Sequence, residues 1–121
     1  MNNQSANRPL TSSERDLARH MLTRCGLEGG NFLSQLERAE VTPWSCSCGC
    51  ASINFQINGH AEAEPGVHIL GDFKFGPEDT PSGVFIFESA GLLSGIEVYG
   101  LAGDAPKSLP RPDELRPLQD I

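Results

Sequence analysis

The segment WSCSCGCASINFQI, residues 44–57, decides the fold that we expect for this chain. From residue 53 to residue 57 apolar side chains alternate with polar ones, and this period of two is typical of a β-strand that buries one face. Residues 41–60 contain no Asp, Glu, Lys or Arg. Because charged side chains are rarely buried, an uncharged run of this length predicts a central, well-buried element.

Before this segment the pattern is that of amphipathic helices. Thr11 and Glu14 have the spacing of a capping box, and apolar residues at helical spacing follow them as far as Gly26, the expected C-terminal stop. A second, shorter helix is predicted to begin after Gly30, with Asn31 as its cap. Each helix has one apolar face, so both are expected to pack on a sheet.

After this segment the chain reads as successive strands joined by turns. The dipeptide Asn58-Gly59 is a strong hairpin signal, and it predicts that the next strand returns beside residues 53–57. The dipeptide Ala90-Gly91 predicts a second tight turn. The further predicted strands are residues 67–75, with a bend at Gly71, and residues 84–88 and 92–99.

A chain of 121 residues is long enough for one domain with its own core. We expect an α+β fold, with two N-terminal helices packed on a four- to five-stranded antiparallel β-meander and an extended C-terminal tail. Four prolines exclude a regular helix from that tail, where Leu109 and Leu115 are the expected anchors. The domain then divides into a flexible N-terminus, a helical part, an antiparallel sheet and a proline-containing tail, at residues 1–9, 10–40, 41–103 and 104–121.

The net charge of −7 is unevenly distributed. Residues 61–104 hold eight acidic residues and Lys74 as their single basic residue, so the acidic excess lies in the predicted sheet. Such a surface repels phosphate backbones, which argues against nucleic acid. It fits a basic protein partner, or it serves solubility alone, and the second interpretation is favoured. The first ten residues do not have the pattern of a signal peptide, and no apolar run is long enough to span a membrane. We therefore expect a cytoplasmic protein without a membrane partner.

Cys46, Cys48 and Cys50 stand at alternate positions in the quoted segment. In a reducing compartment they are not expected to form disulfides, and two interpretations remain open. Three thiolates could hold a zinc ion if the backbone curls at Gly49, with a fourth ligand from Cys25, His60 or His68. Alternatively, the cysteines are small, nearly apolar core residues. The absence of Cys-x-x-Cys pairs favours the second interpretation.

Three segments carry a resemblance to a known family. They are CSCGCASI at residues 46–53, VFIFE at 84–88 and LLSGIEVYG at 92–100. In this order they resemble a family of small uncharacterised bacterial proteins with a CxCGC segment, an LSxLEVY-type strand and a proline-containing tail. The resemblance spans residue 10 to about residue 117, and it implies a shared fold and a bacterial source. It transfers no catalytic residue to this chain.

The sequence contains no recognisable set of catalytic residues, because no histidine stands beside a plausible nucleophile. Glu88 and Glu97 lie on the last two predicted strands, and Glu97 should point to solvent with Tyr99 on the same face. These three residues are the candidate interaction surface. We therefore expect a non-enzymatic protein-interaction module with an acidic sheet surface, without a cofactor and with a homodimer as one possible assembly. The alternative is a small zinc protein that uses the three-cysteine cluster.

Overall fold

The computed structural model describes residues 7–44, 47, 49–61, 67–101 and 103–117. Within these residues the chain has the predicted α+β class of fold, with short helices and a seven-stranded antiparallel sheet. Helices α1, α2 and α3 are Ser12–Thr23, Gly26–Gly30 and Leu33–Leu36. Strands β1 to β7 are Arg8–Pro9, Ala39–Val41, Ile53–Ile57, His68–Phe75, Ser82–Ser89, Leu92–Gly100 and Arg116–Pro117.

The strand order across the sheet is β1-β2-β3-β6-β5-β4-β7. Strands β4, β5 and β6 follow one another as an antiparallel meander. The predicted count of four to five strands is wrong, and so is a simple meander, because β3 lies between β2 and β6 instead of beside β4. The sheet therefore consists of two parts that meet where β3 pairs with β6.

The hairpin predicted at Asn58-Gly59 is also wrong. These residues form a turn at the end of β3, but the turn contacts the chain that enters β2. The backbone N–H of Asn58 donates to the carbonyl oxygen of Arg38 at 2.7 Å, and the Arg38 guanidinium donates to the carbonyl oxygen of Asn58 at 3.2 Å. Since β2 and β6 occupy both edges of β3, β4 has no place beside it.

Both edge strands of the described sheet are Arg-Pro dipeptides, Arg8–Pro9 in β1 and Arg116–Pro117 in β7. β1 lies within the stretch that we predicted to be flexible, and it pairs with Glu40 and Val41 of β2. Proline has no N–H to offer to an incoming strand, and prolines on edge strands are one way in which sheets avoid pairing with other chains. The two dipeptides are therefore poor sites for strand addition.

Helix α1 begins as the sequence predicts. The Thr11 hydroxyl accepts the backbone N–H of Glu14 at 3.1 Å, and the Glu14 carboxylate accepts the backbone N–H of Thr11 at 2.9 Å, so the capping box is confirmed. Glu14 also receives two N–H bonds from the Arg8 guanidinium, which lowers the pKa of this carboxyl group. The predicted second helix corresponds to α3, which is capped by Phe32 instead of Asn31, and the short α2 before it was not predicted.

The turn between β5 and β6 forms at Ala90-Gly91, as predicted. Both residues have positive φ, +54° and +84°, which is the conformation of a tight hairpin turn. The side chain of Gln35 in α3 holds this turn at two points. Its Nε2 donates to the carbonyl oxygen of Gly91 at 2.9 Å, and its Oε1 accepts the backbone N–H of Leu93 at 2.8 Å.

The core lies on the face of the sheet that carries the helices. Helix α1 contacts β4 and β5, and α3 contacts β6. The expected tail anchors, Leu109 and Leu115, are partly buried and pack against this core on either side of a 3₁₀ turn at Pro112–Glu114. Among the described residues, no helix is long and apolar enough to cross a membrane. Fully buried members of the core include Leu17, Met21, Leu22, Val84, Ile86 and Ile96.

Candidate functional site

Strand β5 shows how the side chains divide between the two faces of the sheet. Val84 and Ile86 point towards the helices and are fully buried. Because successive side chains of a strand point to opposite faces, Phe85 and Phe87 lie on the side away from the helices. We call this side of strands β4, β5 and β6 the outer face.

One row of paired residues crosses the outer face. Asp72 of β4 pairs with Phe85 of β5, and Phe85 pairs with Glu97 of β6. An aromatic side chain therefore lies between two carboxylates, with about 5 Å between the Cα atoms of opposed residues. Glu97 is exposed between the buried Ile96 and Val98, and its carboxylate makes no hydrogen bond or ion pair with any described residue.

Tyr99 lies beside this row, and two contacts hold the hydroxyl end of its side chain. Its hydroxyl donates to Oδ1 of Asp72 at 2.8 Å. Its ring lies directly on Gly83, where an added Cβ would overlap the ring atoms. Partial burial, and secondarily the bond to Asp72, raise the pKa of Tyr99 to about 12. The phenol is therefore neutral at physiological pH and serves as a hydrogen-bond donor.

The ring of Phe85 contacts two other aromatic rings of the outer face. The rings of Phe85 and Phe87 have their centroids 5.7 Å apart in an edge-to-face arrangement, and those of Phe85 and Tyr99 are 6.0 Å apart and tilted by 47°. Ile69 pairs with Phe87 across β4 and β5 and is 43% exposed. The outer face thus combines aromatic rings, buried at Phe87 and partly buried at Phe85 and Tyr99, with the exposed Ile69 and two carboxylates. Lys74 follows Asp72 by two positions on β4 and therefore lies on the same face.

The structure separates Glu88 from the other two residues of the candidate interaction surface. Glu88 pairs with Leu93, which is buried in the core, so Glu88 lies on the helix side of the sheet while Glu97 and Tyr99 lie on the outer face. The interpretation that Glu88 and Glu97 share one surface is therefore wrong. A register shift in the β5–β6 ladder after Phe87 contributes to this separation, and the sequence gives no signal for it.

Glu88 belongs to a cluster with His68 and Glu28. Nδ1 of His68 lies 2.6 Å from Oε2 of Glu88, and Nε2 lies 3.3 Å from Oε2 of Glu28 in α2. The other Glu88 oxygen accepts the backbone N–H of Gly91 at 2.9 Å. Only a doubly protonated imidazole can donate to both carboxylates. The bond to Glu88, and secondarily the charge of Glu28, raise the pKa of His68, and the same bond lowers the pKa of Glu88.

This cluster makes stability depend on pH. The raised pKa of His68 gives stability that is fully present below its ordinary value of 6.5 and is lost as the pH rises through the folded-state value. The lowered pKa of Glu88 gives stability that is present above its ordinary value of 4.5 and is lost as the pH falls through the folded-state value. We therefore expect His68→Asn to lower the thermal unfolding midpoint most between about pH 4.5 and 6.5, and hardly at all at about pH 9.

The measurement is the thermal unfolding midpoint of wild type and variant across this pH range. His60→Asn is the matched control, because His60 is exposed in the turn after β3. A midpoint difference for His68→Asn that is the same at every pH, or that grows towards pH 9, would contradict the arrangement of charges.

A histidine held by a carboxylate is also a common part of a general acid–base site. Here both ring nitrogens of His68 face carboxylate oxygens, so neither is presented to a substrate. The nearest thiol in sequence to Glu28 is that of Cys25, which donates to the carbonyl oxygen of Met21 at 2.8 Å. Burial raises the pKa of Cys25, which disfavours the nucleophilic thiolate. The expectation of a non-enzymatic protein stays a prediction.

Of the three-cysteine cluster, Cys46 and Cys48 lie outside the described residues. Cys50 is half-buried and precedes β3, and its thiol donates to Oγ of Ser52 at 3.3 Å. Ser52 also accepts the backbone N–H of Val98 at 3.0 Å, so Cys50 belongs to the junction of β3 and β6. Among the described residues, no group of three His, Cys, Asp or Glu side chains could hold a metal ion. The zinc hypothesis stays a prediction.

A groove of about 460 Å³ separates the first turn of α1 from the tail. Its walls include Ser13 and Asp16 on one side and Leu109, Arg111 and Pro112 on the other. The Arg111 guanidinium is 3.2 Å from the Asp113 carboxylate, so the basic group of the groove is already paired within the tail. The lining also includes the carboxylates of Glu14 and Asp16, so the groove carries a net negative charge.

Sequence reasoning identified Glu97 and Tyr99 but missed Asp72, Phe85 and the His68–Glu88 contact. The alternating pattern is enough to place single residues on a face, but only the strand register shows which residues lie opposite each other.

No protein-family model matches this chain, and neither the curated proteins nor the solved structures contain a significant match. The resemblance to a bacterial family therefore stays a prediction.

Proposed function

We propose that this protein is a non-enzymatic protein-interaction module that binds a basic segment of a partner on its outer face. The observation that supports this proposal is the row Asp72–Phe85–Glu97, with Tyr99 beside it. Half-buried aromatic residues are common at protein interfaces, and the two carboxylates complement positive charge.

The edges of the sheet support binding on the face. The outermost described strand on each side is an Arg-Pro dipeptide, which disfavours strand addition at the residues that it covers, Phe73 and Lys74 of β4 and Glu40 and Val41 of β2. A symmetric dimer through the outer face would place the same patch on both subunits, so Glu97 and Asp72 would approach the carboxylates of the second copy. With Asp72 and Glu97 against the single Lys74, the face has a net negative charge, which disfavours such a homodimer and favours a partner of opposite charge.

The test starts from a defined library. Random dodecapeptides displayed on phage are selected on the wild-type protein, and the enriched peptides are synthesised and titrated into ¹⁵N-labelled protein. We expect enrichment of peptides with net positive charge and chemical-shift changes at the amides of Asp72, Phe85, Glu97 and Tyr99. Glu97→Lys should weaken the binding of these peptides about tenfold or more, because it replaces attraction by repulsion next to Phe85.

Asp16→Lys is the matched control, because it makes the same change in charge at an exposed residue of α1 whose carboxylate has no ion pair among the described residues. Its effect on affinity should stay within about twofold. Enrichment of neutral or acidic peptides, or equal losses in the two variants, would contradict the proposal. A concentration-dependent dimer whose interface maps to the outer face by the same NMR method would show that a second copy is the occupant.

A further inference from the structure

We propose that the outer face recognises an arginine side chain of the partner, stacked on Phe85 between Asp72 and Glu97. This inference rests on the proposed function and names the group that the surface binds. Its starting point is that the three residues lie side by side on adjacent strands, with the aromatic residue in the middle.

The two carboxylates are roughly 10 Å apart at their Cα atoms, because each step to a neighbouring strand is about 5 Å. Side chains of Asp and Glu can lean inwards over a group that lies on the central ring. Tyr99 holds Asp72 in place through its hydroxyl, and Tyr99 is itself held by its packing on Gly83. One side of the site is thus preorganised, while the unpaired Glu97 on the other side is available to adapt.

The chemistry of the row suits a guanidinium better than an ammonium group. A guanidinium is planar and weakly hydrated, so it can stack on an aromatic face while its N–H groups point outwards in the ring plane. Those N–H groups can reach carboxylates on two opposite sides at once. A lysine ammonium is a compact, strongly hydrated charge and gains less from the ring and from a second, opposed carboxylate.

Two other occupants of an aromatic sheet surface fit less well. Nucleic-acid bases stack on such rings, but their phosphates would meet Asp72 and Glu97. A purely apolar ligand would leave both carboxylates close to apolar surface without a counter-charge. The row therefore offers an arginine side chain both an aromatic ring for stacking and carboxylates on two sides.

The test compares three capped pentapeptides, Gly-Gly-Xaa-Gly-Gly, in which Xaa is arginine, lysine or citrulline. Citrulline keeps the planar shape of arginine and lacks its charge. Titration into ¹⁵N-labelled protein at low salt should give shifts at Phe85, Glu97 and Tyr99 with the arginine peptide. We expect the arginine peptide to bind roughly 3- to 30-fold more tightly than the lysine peptide, and the citrulline peptide to bind most weakly.

Two variants separate the ring from the charge. Phe85→Leu keeps the carboxylates and should abolish the preference for arginine over lysine, whereas Glu97→Gln keeps the ring and should weaken both basic peptides. The thermal unfolding midpoint shows that each variant is folded, and Glu97→Gln at an exposed site keeps the test valid if Phe85→Leu does not fold.

Equal binding of the arginine and lysine peptides, with shifts on the outer face, would overturn the arginine inference and leave the proposed function intact. Failure of both basic peptides and of the selected dodecapeptides to perturb the outer face would overturn both. A preference for arginine that survives Phe85→Leu would also overturn the inference, because the ring would then have no part in recognition.

Discussion

Gly95→Val is expected to destabilise this protein by about 3 kcal/mol or more, which is a large share of the total stability of a small domain. A Cβ added at Gly95 would lie 2.5 Å from the carbonyl oxygen of Ile53 and 2.9 Å from Cζ of the Phe87 ring. The first of these atoms belongs to the backbone of β3 and cannot rotate away. Relief of the overlap therefore requires β3 and β6 to separate.

The location of Gly95 makes this separation damaging. The two parts of the sheet meet through β3 and β6, where the paired residues are Ile53 with Ile96 and Asn54 with Gly95. Few backbone bonds join the strands there, and the Ser52 hydroxyl adds one more by accepting the N–H of Val98. A side chain at Gly95 disturbs the pairing at its centre. Few other hydrogen bonds between β3 and β6 remain to compensate for this loss.

Chemical denaturation of wild type and variant gives the free energy of unfolding. Gly30→Val is the matched control, because no atom lies within 4 Å of a Cβ added at Gly30. Its effect should stay within about 0.5 kcal/mol, as for most surface substitutions. A Gly95→Val protein as stable as this control would show that β3 and β6 do not approach each other as closely as described.

The sequence was sufficient for elements whose signals are local. The capping box at Thr11 and Glu14 marks the start of α1, and the apolar segments at residues 84–88 and 92–99, separated by Ala90-Gly91, predict β5, the turn and β6. Pairing was predicted less well, because a dipeptide such as Asn58-Gly59 predicts a turn and does not say which strand lies next to it. The two-residue edge strands are too short to show any period.

The same limit applies to the candidate site. Glu97 could be placed on the outer face from its buried neighbours alone. That Asp72 and Phe85 lie in its row depends on the register of three strands, including a shift in the β4 ladder between Ile69 and Gly71 and another in the β5–β6 ladder. Such shifts follow from packing across the whole sheet, which a local pattern cannot reveal.

The second large effect is expected at Gly71, on the helix side of β4. A Cβ added at this glycine would overlap Sγ of Cys25 and would lie 3.3 Å from Cε1 of Phe73. The thiol is half-buried and donates to the carbonyl oxygen of Met21, so it is not free to move away. We expect Gly71→Ala to lower the free energy of unfolding by about 1–3 kcal/mol, as overpacking usually does.

Removal of the thiol should restore much of this loss. In the double variant Gly71→Ala/Cys25→Ala, the sulfur that collides with the new methyl group is absent. A double-mutant cycle from denaturation curves measures the coupling, which we expect to be about 1 kcal/mol or more in favour of the double variant.

Cys50→Ala supplies the control pair, because Cys50 is also a half-buried cysteine but contacts Ser52 instead. Its cycle with Gly71→Ala should be additive to within about 0.5 kcal/mol. Additivity in the Cys25 cycle as well would mean that the residues joining α1 and α2 do not press against β4. The close packing of Cys25 on Gly71 would then be wrong.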